Sequence, residues 1–395
     1  MKENFDLSDD ELRELAEKQN KSIEEVANDY KYALKDLEYT NKRISEIIDN
    51  FKYTEFPSDV LLHGYGENDE LNTKYMCFDN LEVFDKIPST ELAIVTGFGP
   101  TNSPTAGTLS AIFRVLELQK QTGIYTHIII SELSALNSRQ KPLNELITNS
   151  HQFISFIKKL GFDEQNGEIR THNHHDHSRV FSLVSSVLKV NDFLENSEAT
   201  DDMYKRLNLL GNDFSTMVSQ TFTITDIILP IIRDKKQGVI VPAGLEEHHY
   251  PYLARVALNR MKLKNGGIDS LTCHNPEVGA IYGKLISGLF PYIKMSKSIQ
   301  DSSINLGDSK EDLHKKIINC GKRNEKVILQ MMVLASNWSP EKISKAKKTF
   351  DNLETNYADW EKIKYDYLDF FTEIKTLWDN SKYEEEINTY NELFI

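Results

Sequence analysis

LAIVTGFGPTNSPTAGTLSAIFRVLELQKQTGIYTHIIIS, residues 92–131, is the stretch that decides the fold. LAIVTG is a short apolar run with the length and β-branched content of a buried strand. Leu109, Ile112, Phe113 and Leu116 then fall at i, i+3, i+4 and i+7, which places them on one face of a helix. THIIIS follows as a second buried strand. Strand, helix and strand in that order make a βαβ unit, and its two strands must run parallel. Between the first strand and the helix lies GFGPTNSPTAGT, residues 97–108, crowded with glycine and proline. Exposed N–H groups and the helix dipole favour an anion at such a junction. The spacing is not that of a P-loop, since no lysine follows Gly107, and the dinucleotide pattern of three spaced glycines fails after Gly99.

Further along, KPLNELITNSHQFISFIKKLG reads as a helix ending at Gly161, and GVIVPAG as another strand leading into a helical pattern through Leu253 and Val256. In sheets of this kind the ligand lies beyond the carboxyl ends of the strands. Residues 97–108 and 242–249 both belong at that edge. The fold class expected is therefore α/β, with a Rossmann-like parallel sheet. Residues 1–60 carry apolar residues at helical spacing, such as Leu34, Leu37, Ile44 and Ile48, and are expected to form an N-terminal helical extension. Residues 51–90 carry mixed turn and short-strand signals. The expected domains are this extension at 1–60, a catalytic domain at 61–310 and a helical C-terminal domain at 311–395. Within the last, Lys342, Lys345, Lys347 and Lys348 precede an aromatic series including Trp360, Tyr367, Phe371 and Trp378, read as helix packing rather than a platform for bases.

The chain has 395 residues, enough for about two or three domains, and a formal net charge of −14. Such acidity argues against a protein whose main job is unselective binding along nucleic acid, though not against a local basic face. Cys77, Cys273 and Cys320 match neither a disulfide framework nor a paired zinc motif, so reduced thiols in a cytoplasmic protein are expected. The N-terminus is acidic, without an export signal, and no run suggests a membrane span.

PYIKMSKSIQDSSINL, residues 291–306, contains Lys294-Met295-Ser296-Lys297-Ser298. Alone, five common residues also suit a solvated Lys/Ser loop. Set after this sheet, they reproduce the KMSKS loop of class I aminoacyl-tRNA synthetases, and the continuation QDSSINL resembles that of tryptophanyl-tRNA synthetases of the archaeal and eukaryotic kind. The resemblance makes the opening stretch readable. The family's first strand leads into Gly-x-Gly-Pro and then His-x-Gly-His at a helix start; here stand Gly97, Gly99 and Pro100, then Thr105-Ala106-Gly107-Thr108. VPAGLEEHHYPYLAR, residues 241–255, resembles the family's third segment, and ISELSALNSR, residues 130–139, the end of its second strand. Gln220 sits where the family often has an amino-acid-binding glutamine.

The resemblance, nearest to tryptophanyl-tRNA synthetases, implies ATP-dependent activation of an amino acid, its identity left open by Glu246-Glu247, and its transfer to tRNA by a symmetric homodimer, with magnesium bridging the phosphates. It implies catalytic roles for Lys294, Lys297, Thr105 and Thr108. It implies ATP contacts at Gly97, Gly99, Pro100, Gly107, Glu246, Met295, Ser296 and Ser298, and amino-acid contacts at Gln220, Glu247 and Glu132. The chain departs from the pattern where Thr105 and Thr108 replace both histidines, as bacterial tryptophanyl relatives do in part with Thr and Asn, and where Glu246-Glu247 replaces Asp-Gln. Those departures keep open a paralogue serving specialised metabolism and a non-catalytic binding protein. THNHHDHSR, residues 171–179, gathers His172, His174, His175 and His177. Alternation this dense seldom gives convergent ligands, so a flexible, solvated or substrate-covering loop is expected there rather than a metal site.

Overall fold

The computed structural model describes residues 9–19, 22–27, 45–56, 62–66, 70–80, 86–139, 141–172, 175–195, 214–265, 275–290, 292, 295 and 300–382. Of the N-terminal apolar series, Ile48 falls within a described helical turn, whereas Leu34, Leu37 and Ile44 lie outside the described residues, as does Cys273. Seven strands form one sheet: β1 (Thr54–Glu55), β2 (Tyr75–Asp79), β3 (Leu92–Phe98), β4 (Tyr125–Ile130), β5 (Gly167–Thr171), β6 (Gly238–Gly244) and β7 (Glu277–Gly283). Their order across the sheet is β1-β2-β7-β6-β3-β4-β5. From β7 to β5 every pairing is parallel, as the βαβ reading requires. β2 pairs antiparallel with β7, and β1 antiparallel with β2. Residues 51–90 thus supply two antiparallel strands that the sequence signals left undecided.

Side-chain alternation along the strands builds a core on each face. Leu92, Ile94 and Phe98 of β3 join one apolar cluster with Ile128 and Ile130 of β4, while Ala93 and Val95 join the other with Ile129. Since both faces are covered, these strands read as continuous apolar runs rather than alternating ones. The first face carries α1 (Ala106–Thr122), through Leu109, Ile112, Phe113 and Leu116, and α3 (Leu143–Lys159), through Phe153, Phe156 and Ile157. α2 (Glu132–Arg139) lies between α1 and α3 in the chain. After β5 comes α4 (His175–Ser185). The second face carries α5 (Phe214–Arg233) and α6 (His249–Asn265). Three layers result, helices over sheet over helices. α5 is long and apolar enough to cross a membrane by composition, yet it is mostly buried against β6 and the second core. It is a core helix.

α1 ends at Gly123, whose φ of 64° is left-handed and whose N–H donates to Gln119 O at 2.9 Å. A residue without Cβ adopts that cap at no steric cost. Beyond β7 all regular elements among the described residues are helical: α7 (Lys310–Ile317), α8 (Glu325–Leu334), α9 (Pro340–Asp351) and α10 (Tyr357–Asp379). Trp360, Tyr367, Phe371 and Trp378 are buried, so most of the aromatic series is packing, whereas Tyr357 and Tyr365 stand exposed. The packing is continuous with the sheet: Trp378 meets Phe153 and Phe156 edge-on at 5.1 and 5.3 Å.

Under the second face a charged network joins β4, β5 and α5. Glu168 Oε1 lies 2.9 Å from His127 Nδ1 and accepts from Arg233 Nη2 at 2.6 Å; Arg233 Nη1 also reaches Asp176. Burial pushes the Glu168 carboxyl up, but the bonds from His127 and Arg233 outweigh it and hold the group at about 2. A carboxyl depressed from 4.5 stabilises the fold fully above pH 4.5, and that contribution is lost as pH falls towards 2. The stability difference between the native chain and Glu168→Gln is therefore expected to shrink through that window. Urea melts at several pH values check it, and a difference independent of pH would refute it.

Candidate functional site

β3 has β4 on one side and β6 on the other, so the chain reverses its direction of travel across the sheet there. A crevice at the carboxyl ends of β3 and β6 is the expected ligand position. Gly97 and Phe98 end β3, and Thr105 caps α1: its Oγ1 accepts the Thr108 N–H at 3.3 Å and lies 3.3 Å from Thr108 Oγ1. Thr105 is buried and Thr108 half-buried. An added Cβ at Gly99 would meet nothing within 4 Å, and at Gly107 only Thr105 Oγ1 at 3.6 Å, so the glycines leave open space above the helix start. At Gly97 it would crowd Ser131 Oγ at 3.1 Å. Pro100 O accepts from the Asn149 side chain at 3.0 Å, which ties the loop to α3.

The helix start is clipped to the segment just past Ser298. Ala106 N donates to Ile304 O at 2.8 Å, and Leu306 N to Pro104 O at 2.9 Å, with Thr105 and Asn305 bridged antiparallel. Ser103 Oγ adds a bond to Asn305 Oδ1 at 3.2 Å. Two stretches far apart in the chain thus meet at the carboxyl edge of β3. Met295 is buried in the first core. Lys294, Ser296, Lys297 and Ser298 lie outside the described residues.

At the end of β6, Glu247 Oε2 accepts the Gly244 N–H at 3.3 Å and Glu246 folds back over Gly244. Glu247 is exposed and Glu246 half-buried. Thr96 Oγ1 donates to Pro242 O at 3.2 Å, joining β3 to β6 near this edge. Arg114 is a cation the sequence reading passed over. It is 8% exposed, donates to Ser110 Oγ at 2.8 Å and Lys284 O at 3.1 Å, and packs where a Cβ on Gly283 would sit. Burial lowers its pKa, while Tyr75, Glu246 and Glu247 act to keep it charged.

On the other side of β3, Glu132 is buried at the start of α2 and accepts the His172 N–H with both oxygens, at 2.9 and 3.1 Å. Burial raises its pKa, and His172 counters that. Gln220 is 5% exposed on α5, and its side chain makes no hydrogen bond among the described residues. Its neighbour Ser219 bonds Ser134 Oγ through its own hydroxyl at 2.7 Å, stitching α5 to α2. The expectation of a solvated histidine loop is corrected here: His172 and His177 are 3% and 1% exposed. His172 Nε2 lies 3.1 Å from Asp226 Oδ2, and His177 Nε2 lies 2.9 Å from Asp226 Oδ1. Strand β5 ends just before His172 and α4 begins just before His177, which turns both rings towards α5. Asn173 and His174 lie outside the described residues, as does the His175 side chain. Asp226 was missed, although a lone acid within TFTITDIIL is a readable signal.

A model of the family described as tRNA synthetases class I (W and Y) matches residues 88–374. The tyrosine–tRNA ligase of Picrophilus torridus is 24% identical over 225 residues, which are 56% of this chain and 65% of that protein, just under two thirds of its length. The structure resembles the tryptophanyl-tRNA synthetase of Encephalitozoon cuniculi bound to tryptophan, with a TM-score of 0.63 and 18% identity over 86% of this chain and 95% of that one. It also resembles the Giardia lamblia tryptophanyl-tRNA synthetase, with a TM-score of 0.65 and 15% identity over 90% and 96% of the two chains. At such identities the structures speak for the fold.

Proposed function

We propose, from the premise that this chain belongs to the class I tRNA synthetases of the W and Y family, that it activates an aromatic amino acid with ATP and transfers it to tRNA. The observation that carries the reading is the clip between residues 104–106 and 304–306, which holds the stretch following the KMSKS residues in sequence against the helix start where ATP would lie. Tryptophan is the first candidate substrate and tyrosine the second. The order follows the continuation QDSSINL after residue 298, which resembles that of tryptophanyl-tRNA synthetases, while the curated relatives are tyrosine–tRNA ligases.

In activation, a carboxylate oxygen of the amino acid attacks the α-phosphorus of ATP, and the bond to the bridging oxygen breaks to release pyrophosphate. Charge gathers on phosphate oxygens, so positioning and preorganised positive groups supply the catalysis. Lys294 and Lys297 would meet the departing pyrophosphate, and Met295, Ser296 and Ser298 would frame the nucleotide. Gly97, Gly99, Pro100 and Gly107 would leave room for it, with the Thr105 and Thr108 hydroxyls donating to phosphate. Glu246 would face the ribose. Glu132, Gln220 and Glu247 would bind the amino acid, Gln220 through its uncommitted amide. Magnesium would neutralise phosphate charge; it would be carried on ATP itself, because no carboxylate cage flanks residues 97–108 among the described residues.

The acceptor is read as tRNA because Lys342, Lys345, Lys347 and Lys348 all stand exposed on α9, a basic face on an otherwise acidic chain. The symmetric dimer comes with the family reading, whereas the cytoplasm is read from the three unpaired-looking cysteines and the division at residues 60 and 310 from the helix and strand signals along the chain. Charging of total tRNA with tryptophan or tyrosine tests the transfer step. A chain that activates its amino acid and charges no tRNA would instead be the paralogue that the Thr105, Thr108 and Glu247 departures keep open.

The two threonines are expected to respond differently to histidine. Thr108 is half-buried, and a charged donor there should raise the activation rate by about tenfold, since charge-assisted bonds exceed neutral ones by roughly 1 kcal/mol. Thr105 is 4% exposed and caps α1, so Thr105→His should cost about 1 kcal/mol of stability through the lost cap alone. Exchange rates and melting temperatures of the two variants check this, and equal behaviour would refute it.

A further inference from the structure

We infer that His172, His177 and Asp226 form a binding site for a divalent first-row metal ion, zinc by the chemistry of its donors, which pins the end of β5 and the start of α4 to α5. All three side chains are buried, and their ligand atoms lie within 4.8 Å of one another. Two imidazole nitrogens and a carboxylate are a donor set suited to zinc, and the sequence spacing of four residues between His172 and His177 is one that zinc sites use. Each histidine turns Nε2 to a different oxygen of Asp226, at 3.1 and 2.9 Å. Tetrahedral zinc with bonds of about 2.0–2.1 Å needs donors roughly 3.3 Å apart. The two histidine-to-carboxylate contacts would open by only a few tenths of an ångström to admit the ion.

The surroundings are those of a held site rather than a chance contact. Phe222, one turn before Asp226 on α5, stacks on both rings, at 4.8 Å and 18° from His172 and 5.4 Å and 19° from His177. Glu132 fixes the backbone of His172 with both carboxylate oxygens. Groups that orient ligands in this way are part of a metal site's construction. Asp226 itself sits in a run of isoleucines and threonines, and a carboxylate buried in such a run is paired or coordinates a metal.

The test uses the full-length chain prepared without a histidine tag, dialysed and assayed for metals by mass spectrometry, and then loaded with cobalt(II). About one zinc per chain is expected, with a visible absorption band after cobalt replaces it. Asp226→Asn and His177→Gln should lose both, while His314→Gln on α7 should keep both. Less than about a tenth of an equivalent of any transition metal, with no change in melting temperature on adding zinc, would overturn the site. So would metal content unchanged in the two variants. Should either variant fail to fold, the native chain's stoichiometry and cobalt band still decide. These readouts do not depend on aminoacyl transfer, so failure of one proposal leaves the other intact.

Discussion

Lys297→Ala is expected to lower amino-acid-dependent pyrophosphate exchange by about 100-fold or more, the usual cost of removing one preorganised charge from a transition state. That factor corresponds to about 2.7 kcal/mol of activation free energy. The chain is held on either side of Lys297. Met295 is buried in the core, and Ile304 and Leu306 are bonded to the start of α1. Lys294→Ala is expected to act in the same direction. Exchange kinetics measured at saturating amino acid separate the effect on kcat from that on KM. If Lys297→Ala exchanged at the native rate, the lysine would have no part in the chemistry.

The second large effect is on stability. Glu325→Ala is expected to destabilise the fold by about 3–5 kcal/mol, because it leaves a buried cation without its partner. Glu325 Oε1 accepts from Lys364 Nζ at 2.9 Å and Oε2 from Trp360 Nε1 at 2.7 Å, while Lys364 also donates to Ile318 O at 2.9 Å. The ion pair's side chains are 6% and 1% exposed, so water cannot replace the lost bonds. Replacing both, as Glu325→Leu with Lys364→Met, should recover much of the loss, since a buried pair is often worth little against well-packed apolar residues. Denaturant melts of the three variants check the order, and a double variant as unstable as Glu325→Ala would contradict it. The effect should reach the site as well. α10, which carries Lys364, also donates from Lys375 to Leu306 O at 3.0 Å, the residue clipped to Pro104.

The sheet's parallel half was legible because β3, α1 and β4 stand in one unbroken pattern, and GVIVPAG is β6 residue for residue. β2 was not, because YMCFD is short and runs on directly from a helical turn, ELNTK, with no break between them. Its place is set by pairing with β7, a contact distant in the chain. The meeting of the two ends of the site was legible only through resemblance. No periodicity announces that Asn305 will bridge to Thr105. The histidine loop was misread for a related reason. Polar residues in a dense run suggest solvent, and only the arrival of Asp226 from α5 explains why His172 and His177 are inside. Arg114 was hidden by its setting within an amphipathic pattern, where its neighbours Leu109, Ile112, Phe113 and Leu116 drew the reading.

The central claim is amino-acid activation at the carboxyl edge of β3 and β6. Exchange of labelled pyrophosphate into ATP, run with each amino acid separately, tests it most directly. Exchange with tryptophan, or with tyrosine, well above the amino-acid-free rate is the result expected. Silence with every amino acid, from a folded chain that still binds ATP, would contradict it and leave a synthetase fold put to use as a binding protein.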